Sequence, residues 1–285
     1  MNAMVPIALA ALGEIFTEKS GVVNIGLEGT MLVSAILSFF VAVVTQDPYI
    51  ALFVGVGVGA IIGLGHSAIS VYLKGDQIIS GVGINVLGLG FAALIYETVT
   101  GPGTVLNVYP VRIVTPWGQL RFMVVVCFVI ALGLWYLLER TRLGMNVRAV
   151  GENPEAADAV GINVERTRLI CTVVGACLAG LAGAYLSVDF NLAESKNITQ
   201  GRGFIALATV VFSGWNPIFG LAGSLLFGLS QGASIWVRLF PAVRDFPFVN
   251  VTFQLLPYLA TLVAVALLGK RSRMPKALGT PYRRE

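Results

Sequence analysis

The chain is short of charge. Only 12% of its 285 residues are Asp, Glu, Lys or Arg, against about 25% in an average soluble protein, while 56% are apolar. This composition cannot cover a globular surface in water, so it excludes a soluble enzyme, a disordered chain and a small disulfide-stapled domain. The apolar residues form runs of the length a bilayer requires, about 20 residues. They predict an all-α, polytopic membrane protein.

Histidine and cysteine are also scarce. His66 is the one histidine, and the three cysteines all lie within apolar runs, so the sequence predicts no metal site. The phosphate-binding motif Gly-x-x-x-x-Gly-Lys-Ser/Thr is missing too. Gly269-Lys270 is followed by Arg271 and has no glycine at the required upstream spacing. The chain is therefore expected to bind neither ATP nor another cofactor itself.

Glycine, in contrast, is plentiful, with 33 residues. The densest stretches, 55–65 and 81–90, lie inside apolar runs. Their spacing superficially resembles a dinucleotide-binding fingerprint, but they do not lie next to alternating strands. Glycines in such a setting are typical of helices that pack closely in a membrane.

Nine apolar runs are the predicted membrane spans of a single transmembrane domain that covers 1–285. Two of them, 4–16 and 203–214, are short, which predicts half-helices, re-entrant segments or truncated spans. The nine runs are 4–16, 22–44, 49–73, 79–99, 121–138, 167–188, 203–214, 217–238 and 252–269.

The lysines and arginines set the expected orientation. When the polar loop 139–168 is placed in the cytoplasm and the runs alternate, 13 of the 19 basic residues lie on that side, in accordance with the positive-inside rule. Lys19, Lys74 and the basic tail 270–285 are among them. Nine spans then put the N-terminus outside. Because the first run begins almost at Met1, we expect that an upstream span is missing.

The loop 139–168 contains the signature of a short helix. Asn153 is a typical N-cap, Pro154 suits the first helical position, and Gly161 is a typical stop. The pattern predicts a helix over 154–160. Its small apolar face consists of Ala156, Ala157 and Val160. Such a helix suits a groove in another protein, although a plain loop between spans with well-formed caps fits the pattern equally well.

Three stretches carry a resemblance to a known family. Residues 142–162 (RLGMNVRAVGENPEAADAVGI) resemble the coupling loop of ABC-importer permeases of the ribose/branched-chain amino acid class. Residues 11–29 (ALGEIFTEKSGVVNIGLEG), 201–208 (GRGFIALA) and 214–217 (GWNP) are similar to a narrower group. That group imports nucleosides and works with basic-membrane-protein-type lipoproteins. Permeases for simple sugars and riboflavin are similar as well, so the substrate stays open between these classes.

The resemblance implies a type II-like permease in the bacterial cytoplasmic membrane. It implies a second, different permease subunit, two nucleotide-binding domains that use ATP and Mg, and an extracytoplasmic substrate-binding lipoprotein. Nucleic acid is not an expected partner. Relatives usually carry one more N-terminal span. The residues it assigns to coupling with the ATPase are Arg148, Gly151, Asn153, Pro154, Glu155, Ala156, Ala157 and Gly161.

Polar residues inside apolar runs are the candidates for a solute pathway, because a charged side chain at the centre of a span costs roughly 2.5–3.5 kcal/mol. Asn24 and Glu28 have the i, i+4 spacing of one helical face. They could line a pathway, or cap a broken helix. Amides for base edges and aromatic rings for stacking complete the candidate set, which is Asn24, Glu28, Asn85, Phe204, Trp215 and Asn216.

Several alternatives stay open at this point. The outer loop 99–120 could meet a lipoprotein or serve as an interfacial anchor, and the tail could bind anionic lipid or only retain the chain inside. An ion-coupled secondary transporter would need paired intramembrane charges, for which Glu14 and Glu28 are the nearest material. An intramembrane enzyme would need a nucleophile–base or metal constellation.

Overall fold

A computed structural model describes residues 2–100, 122–188, 198–237 and 274–283, and single residues at 255, 259, 263 and 266. Within these residues every regular element is helical, which confirms the all-α prediction. The helices are α1 (Met4–Lys19), α2 (Leu27–Thr45), α3 (Pro48–Ser67, continued by a π-helical turn Ala68–Tyr72), α4 (Gln77–Thr100), α5 (Phe122–Arg140), α6 (Arg142–Glu152), α7 (Pro154–Ala159), α8 (Val164–Val188), α9 (Arg202–Phe212) and α10 (Pro217–Val237).

Five helices of the described part are long and apolar enough to cross a bilayer: α2, α3 with its π turn, α4, α5 and α8. Helices coincide with every predicted run except 252–269, which lies outside the described residues apart from single positions. The two short runs became α1 and α9, with 16 and 11 residues, and both are shorter than a span of about 20 residues. The total of nine spans stays a prediction.

Helix α8 lies at the centre of the bundle and contacts α1, α2 and α3 through three glycines. A Cβ at Gly175 would lie 2.6 Å from the carbonyl oxygen of Gly13 on α1. A Cβ at Gly180 would lie 2.2 Å from that of Gly55, and one at Gly183 would lie 2.1 Å from that of Met31. Any side chain at these positions would push the backbones apart, so the glycines set the spacing of the bundle.

The glycine-rich stretches divide into packed and open positions. On α3, a Cβ at Gly59 would lie 2.2 Å from the Ala176 carbonyl oxygen, whereas one at Gly57 would meet nothing within 4 Å. The prediction of close packing is therefore confirmed for one face of each helix. The packed positions are Gly55, Gly59, Gly63, Gly81 and Gly88, and the open ones are Gly57, Gly65, Gly83 and Gly90.

A non-helical loop, residues 20–26, separates α1 from α2. We call it the α1–α2 break, and it runs lengthwise through part of the bundle. Thr17 donates from Oγ1 to the Cys171 carbonyl oxygen at 3.3 Å, whereas Met31 on α2 meets Gly183. These two contacts are twelve residues apart on α8, about 18 Å at the helical rise. Loop 20–26 covers most of this distance, so α2 begins deep inside the bundle. Helix α1 itself is buried over its whole length up to Glu18.

The predicted cytoplasmic residues meet at one end of the bundle. Lys74 forms an ion pair with Glu165 at the base of α8. A Cβ at Gly151 would lie 2.2 Å from the Lys19 carbonyl oxygen, and the Ala277 N–H of the tail donates to the Gly151 carbonyl oxygen at 2.9 Å. This arrangement agrees with the alternating orientation. The side of the membrane that this end faces rests on the lysine and arginine distribution.

Candidate functional site

Loop 20–26 is held in place by side chains from three neighbouring helices. Glu14 accepts the Asn24 N–H at 2.7 Å through Oε1, and Gln77 accepts the Val23 N–H at 2.8 Å. His66 lies with Nε2 3.0 Å from the Val23 carbonyl oxygen. A buried loop must find partners for its backbone groups, and these three polar side chains supply them, two of them from within apolar runs (Glu14 and His66).

Glu28, in the first turn of α2, caps the N-terminus of α9. Its Oε1 accepts the Gly201 N–H at 2.8 Å and the Thr199 hydroxyl at 2.5 Å. Its Oε2 accepts the Gly203 N–H at 2.7 Å. The side chain is 6% exposed. The carboxylate therefore occupies the positive end of the α9 dipole, the place where a helix otherwise attracts an anion.

Asn85, on α4, caps the N-terminus of α2 in the same way. Its Oδ1 accepts the Gly29 N–H at 2.8 Å, and its Nδ2 donates to the Ile25 carbonyl oxygen at 3.0 Å. Both backbone groups belong to the junction between loop 20–26 and α2. The first turn of α2 is thus satisfied by a residue 56 positions away in sequence.

The second break of the chain, between α9 and α10, contains Trp215 and Asn216. Trp215 takes a positive φ of 58°, and its indole N–H donates to the Glu18 carboxylate near the end of α1. Asn216 Oδ1 accepts the Ile218 N–H at 2.9 Å and so caps α10. A direct hydrogen bond therefore joins the second break to the last turn of α1, just before the first break.

The six candidate pathway residues are not arranged as the sequence suggested. Asn24 precedes α2, so the expectation that it shares a helical face with Glu28 is wrong. Asn24, Glu28 and Asn85 all engage backbone groups, and Trp215 is buried. Phe204, on α9, is 50% exposed. For Glu28 the structure shows the capping role. Pathway lining stays a prediction for all six.

Sequence reasoning singled out Glu14 without its partner, and it missed Gln77 and Thr199, the other members of this polar cluster. Glu14 and Gln77 reach loop 20–26 from separate helices, and Thr199 reaches Glu28 from the segment before α9. A carboxylate or amide inside an apolar run is a signal that a polar partner exists. The identity of that partner depends on tertiary contacts, which one sequence does not contain.

Segment 139–168, which the resemblance predicts to be the coupling segment, forms two short helices in place of one. The predicted helix is confirmed as α7, with the Asn153 Oδ1 accepting the Ala156 N–H at 3.0 Å and Gly161 at φ 88° just after it. Helix α6 was not predicted. It begins at the Thr141 cap, whose Oγ1 accepts the Gly144 N–H at 3.1 Å.

The expected single apolar face of α7 is wrong, because its members point in two directions. Ala157 is 2% exposed and packs with Val150 and Val164. Ala156 is exposed, and Val160 is 76% exposed. Residue 157 therefore anchors α7 to its own chain, while the opposite face is open to solvent or to another subunit.

The remaining coupling candidates fall into the same two groups. Glu155 and Gly161 are exposed, and Pro154 is half-buried at the first turn of α7. Gly151 is buried where α6 meets the end of α1. Arg148 Nη1 donates to Glu139 Oε2 at 3.0 Å, joining α6 to the end of α5.

Two further sequence predictions have a limited structural outcome. Among the described ranges there is no group of three His, Cys, Asp or Glu side chains that could hold a metal ion. The outer loop 99–120 lies outside the described residues, apart from the helical backbone at its start, and so do 270–273 of the tail.

Comparison with known proteins gives a consistent result along the whole chain. Residues 1–268 match the family described as branched-chain amino acid transport system / permease component. The guanosine ABC transporter permease protein NupQ of Bacillus subtilis is 35% identical, over 97% of this chain and 92% of its own length. The nucleoside ABC transporter permease protein NupC of Lactococcus lactis is 30% identical, over 97% and 93%.

A third relative has a different substrate in its name. The putative glucose ABC transporter permease protein TsgC13 of Haloferax volcanii is 32% identical, over 100% of this chain and 96% of its own. No solved structure matches. The family match covers residues on both sides of the coupling segment and all the described helices. The chain therefore belongs to the permease-component family of the branched-chain amino acid transport systems.

Proposed function

We propose that this chain is the permease subunit of an ATP-driven ABC importer that moves a nucleoside across the bacterial cytoplasmic membrane. As a member of the permease family it is a multi-pass membrane transport subunit and not an enzyme. The observation that carries the substrate class is the similarity, along nearly the full chain, to permeases named for guanosine and for nucleosides.

The capped N-terminus of α9 supports an uncharged solute. In transporters, a helix that begins deep in the bundle offers its positive end to an anionic group of the substrate. Here Glu28 already accepts the Gly201 and Gly203 N–H groups. Because a carboxylate of the protein itself occupies that position, an anionic solute would meet repulsion there. A neutral nucleoside would not.

The proposed assembly has this chain as one half of the pore. A second, different permease provides the other half, two nucleotide-binding domains hydrolyse ATP with Mg, and a lipoprotein delivers the solute from outside. In this arrangement the chain crosses the membrane nine times, with its N-terminus outside and its tail in the cytoplasm. The clustering of Lys19, Lys74 and the coupling segment at one end supports this topology.

Within that assembly α7 is the element that meets the ATPase. Glu155, Ala156 and Val160 form its exposed face. The described part of the chain does not cover these three residues. Asn153 and Pro154 set the start of the helix, and Gly161 sets its end. Because α7 is short and is anchored by the buried Ala157, a movement of the ATPase against its exposed face would be transmitted to the rest of the chain.

The solute pathway is proposed to pass by α9. The half-exposed Phe204 ring is the aromatic surface on which a base could stack, with Trp215 and Asn216 at the following break. Asn24, Glu28 and Asn85 contribute by fixing the starts of α2 and α9, between which the backbone is not continuous.

Competition for uptake tests the substrate class. Cells that express the chain with its partner subunits are given labelled guanosine, with a hundredfold excess of unlabelled adenosine, ribose, glucose or riboflavin. Adenosine is expected to suppress uptake and the others are not. The second candidate substrate is a simple sugar, favoured by the similarity to the putative glucose permease. If labelled glucose is taken up and guanosine does not suppress this uptake, the substrate is a simple sugar and the nucleoside assignment is wrong.

The energy source separates this proposal from a secondary transporter. A protonophore together with a sodium ionophore collapses the ion gradients while ATP is held constant in vesicles. Uptake by an ABC importer is expected to continue. Uptake that stops with the gradients while ATP stays high would contradict the proposal.

The role of α7 is tested by a charged substitution on its exposed face. Ala156→Glu is expected to abolish solute-stimulated ATP hydrolysis while the protein still inserts and assembles. Gln46→Glu adds the same charge at an exposed position at the far end of α2 and serves as the matched control. If Ala156→Glu retains coupled transport at the level of the control, α7 is not the coupling element.

A further inference from the structure

The C-terminal segment is docked on the coupling segment. The Ala277 N–H donates to the Gly151 carbonyl oxygen at 2.9 Å, and the Gly279 N–H donates to the Gly21 carbonyl oxygen at 3.2 Å. Gly151 and Gly21, which lie 126 and 258 positions upstream of their partners, are thus bonded to a stretch that the sequence shows only as a basic tail. We call residues 275–282 the C-terminal strap.

Arg168, at the base of α8, joins the strap to the end of α1. The guanidinium is 1% exposed. Its Nε donates to the Ser20 carbonyl oxygen at 3.2 Å and its Nη1 to the Thr280 carbonyl oxygen at 2.8 Å. Burying an arginine is costly, and these two bonds satisfy its Nε and Nη1, whereas Nη2 has no hydrogen-bond partner among the described residues. One side chain therefore connects α8, the loop after α1 and the strap.

The far end of the strap covers the anchor of α7. Tyr282 packs against the cluster of Val150, Ala157 and Val164, which come from α6, α7 and α8. The buried side of α7 thus belongs to a cluster against which the strap packs. The exposed side, with Ala156, does not touch this cluster.

The charge of the tail does not explain these contacts. Lys276 and Arg283, the basic residues among 274–283, are both exposed. The strap is held by backbone hydrogen bonds, by the buried Arg168 and by the Tyr282 ring. Retention by positive charge, or attraction to anionic lipid, would require none of these.

We propose that the C-terminal strap clamps α6 and α7 to loop 20–26 and to the base of α8, so that a displacement of α7 moves the α1–α2 break as one body. Arg168 and Tyr282 are its positioning residues. That such a displacement comes from a partner ATPase rests on the proposed function. The clamp itself does not, because it is a property of this chain.

The test measures how accessible the covered face of α7 becomes when the strap is lost. In a background without the three native cysteines, Ala157→Cys is labelled with N-ethylmaleimide in membranes that contain the whole complex. Removal of 275–285, or Tyr282→Ala, is expected to raise the labelling rate about tenfold, because an opening equilibrium shifts by that order when one or two contacts are lost.

Two controls keep the result specific. Ala156→Cys, on the face of α7 that does not belong to the buried cluster, is expected to be labelled at the same rate with and without the strap. The double variant Lys276→Ala, Arg283→Ala removes charge but keeps the clamp, and labelling at 157 is expected to stay slow. Unchanged labelling in both the truncated chain and Tyr282→Ala overturns the proposal, as does fast labelling in the charge variant.

A transport measurement then separates the strap from the assigned substrate. Arg168→Gln and Tyr282→Ala are expected to hydrolyse ATP at the basal rate but to lose most of the increase that solute brings. If labelled guanosine is not a substrate at all, the labelling experiment still decides whether the clamp exists. If guanosine is transported and both variants stay fully coupled, the clamp does not position α7.

Discussion

Helices α7 and α9 both start from capped N-termini, but the two caps are of different kinds. Helix α7 is capped by Asn153, the residue immediately before it, on the exposed surface of the coupling segment. Helix α9 is capped by Glu28, some 175 positions upstream, inside the bundle. The same physical need, partners for the free N–H groups of the first turn, is met locally in one case and by tertiary structure in the other.

The difference follows from the surroundings of each helix. At the surface, water can satisfy an uncapped N–H, so a local cap contributes only about 1 kcal/mol. Inside an apolar bundle there is no such substitute, and an unpaired N–H costs its full desolvation penalty, about 1–3 kcal/mol. The buried cap therefore ties the two parts of the chain together, whereas the surface cap shapes one helix.

Removal of the Glu28 carboxylate should have the largest effect. Glu28→Ala loses three hydrogen bonds, from Thr199, Gly201 and Gly203, and is expected to destabilise the protein by about 3 kcal/mol or more. Thermal unfolding of the detergent-solubilised protein, followed by size-exclusion chromatography, measures the loss. Glu155→Gln, a substitution of an exposed carboxylate, is the control and should leave the unfolding midpoint unchanged.

The comparison fails if Glu28→Ala unfolds at the same temperature as the control. Glu28→Gln gives a finer test, since it keeps one acceptor oxygen and turns the other into a donor that faces an N–H group. Its midpoint should fall between those of Glu28→Ala and the unchanged protein.

Asn85 provides a second buried cap of intermediate strength. Asn85→Ala removes one accepted and one donated hydrogen bond, to Gly29 and Ile25, and should cost about 1–2 kcal/mol in the same unfolding assay. Asn85→Asp keeps the acceptor for the Gly29 N–H but loses the donor. It should recover part of the loss. An Asp variant no better than Ala would mean that the amide acts through the Ile25 carbonyl oxygen instead.

The two kinds of cap also differ in whether they can be predicted from the sequence. The Asn153-Pro154 start and the Gly161 stop predict α7 almost to the residue, because every determinant lies within ten positions. The apolar runs predict the long helices for the same reason. Polar residues in those runs, such as Glu28 and Asn85, were recognised as exceptional, and one of the two roles considered for Glu28 was to cap a broken helix.

What the sequence could not supply was the partner of each exceptional residue. Nothing near Glu28 in the chain indicates Gly203, and nothing near Arg168 indicates Thr280. Ala157 was expected to share the exposed face of α7 with Ala156, because a helix of six residues is too short for its periodicity to distinguish two faces. The cluster that contains Ala157 also packs against Tyr282, which lies near the C-terminal end of the sequence.

Removal of the Asn153 cap should have a small effect on stability and a larger one on coupling. Asn153→Ala loses the bond to the Ala156 N–H and is expected to cost about 1 kcal/mol of stability. Because α7 has only six residues, that amount is enough to fray it, so solute-stimulated ATP hydrolysis should fall more than unfolding temperature does. Asn153→Asp retains an acceptor and should behave as the unchanged protein. Equal losses in both assays would remove the distinction between the two kinds of cap.

The smallest effect on stability is expected at Arg148, whose contact does not cap a helix. Its guanidinium pairs with Glu139, and both side chains are more than a third exposed. Such pairs contribute about 0.5 kcal/mol or less and weaken in salt. Arg148→Ala and Glu139→Ala should therefore unfold close to the unchanged protein, with any coupling between them lost at high ionic strength.

The resemblance also assigns Arg148 to the contact with the ATPase. If that is its role, Arg148→Ala should reduce solute-stimulated ATP hydrolysis while Glu139→Ala does not, since the ion pair is lost in both variants and only one removes the arginine. Equal solute-stimulated ATP hydrolysis in Arg148→Ala and Glu139→Ala would mean that Arg148 does not contact the ATPase and serves only in the surface ion pair with Glu139.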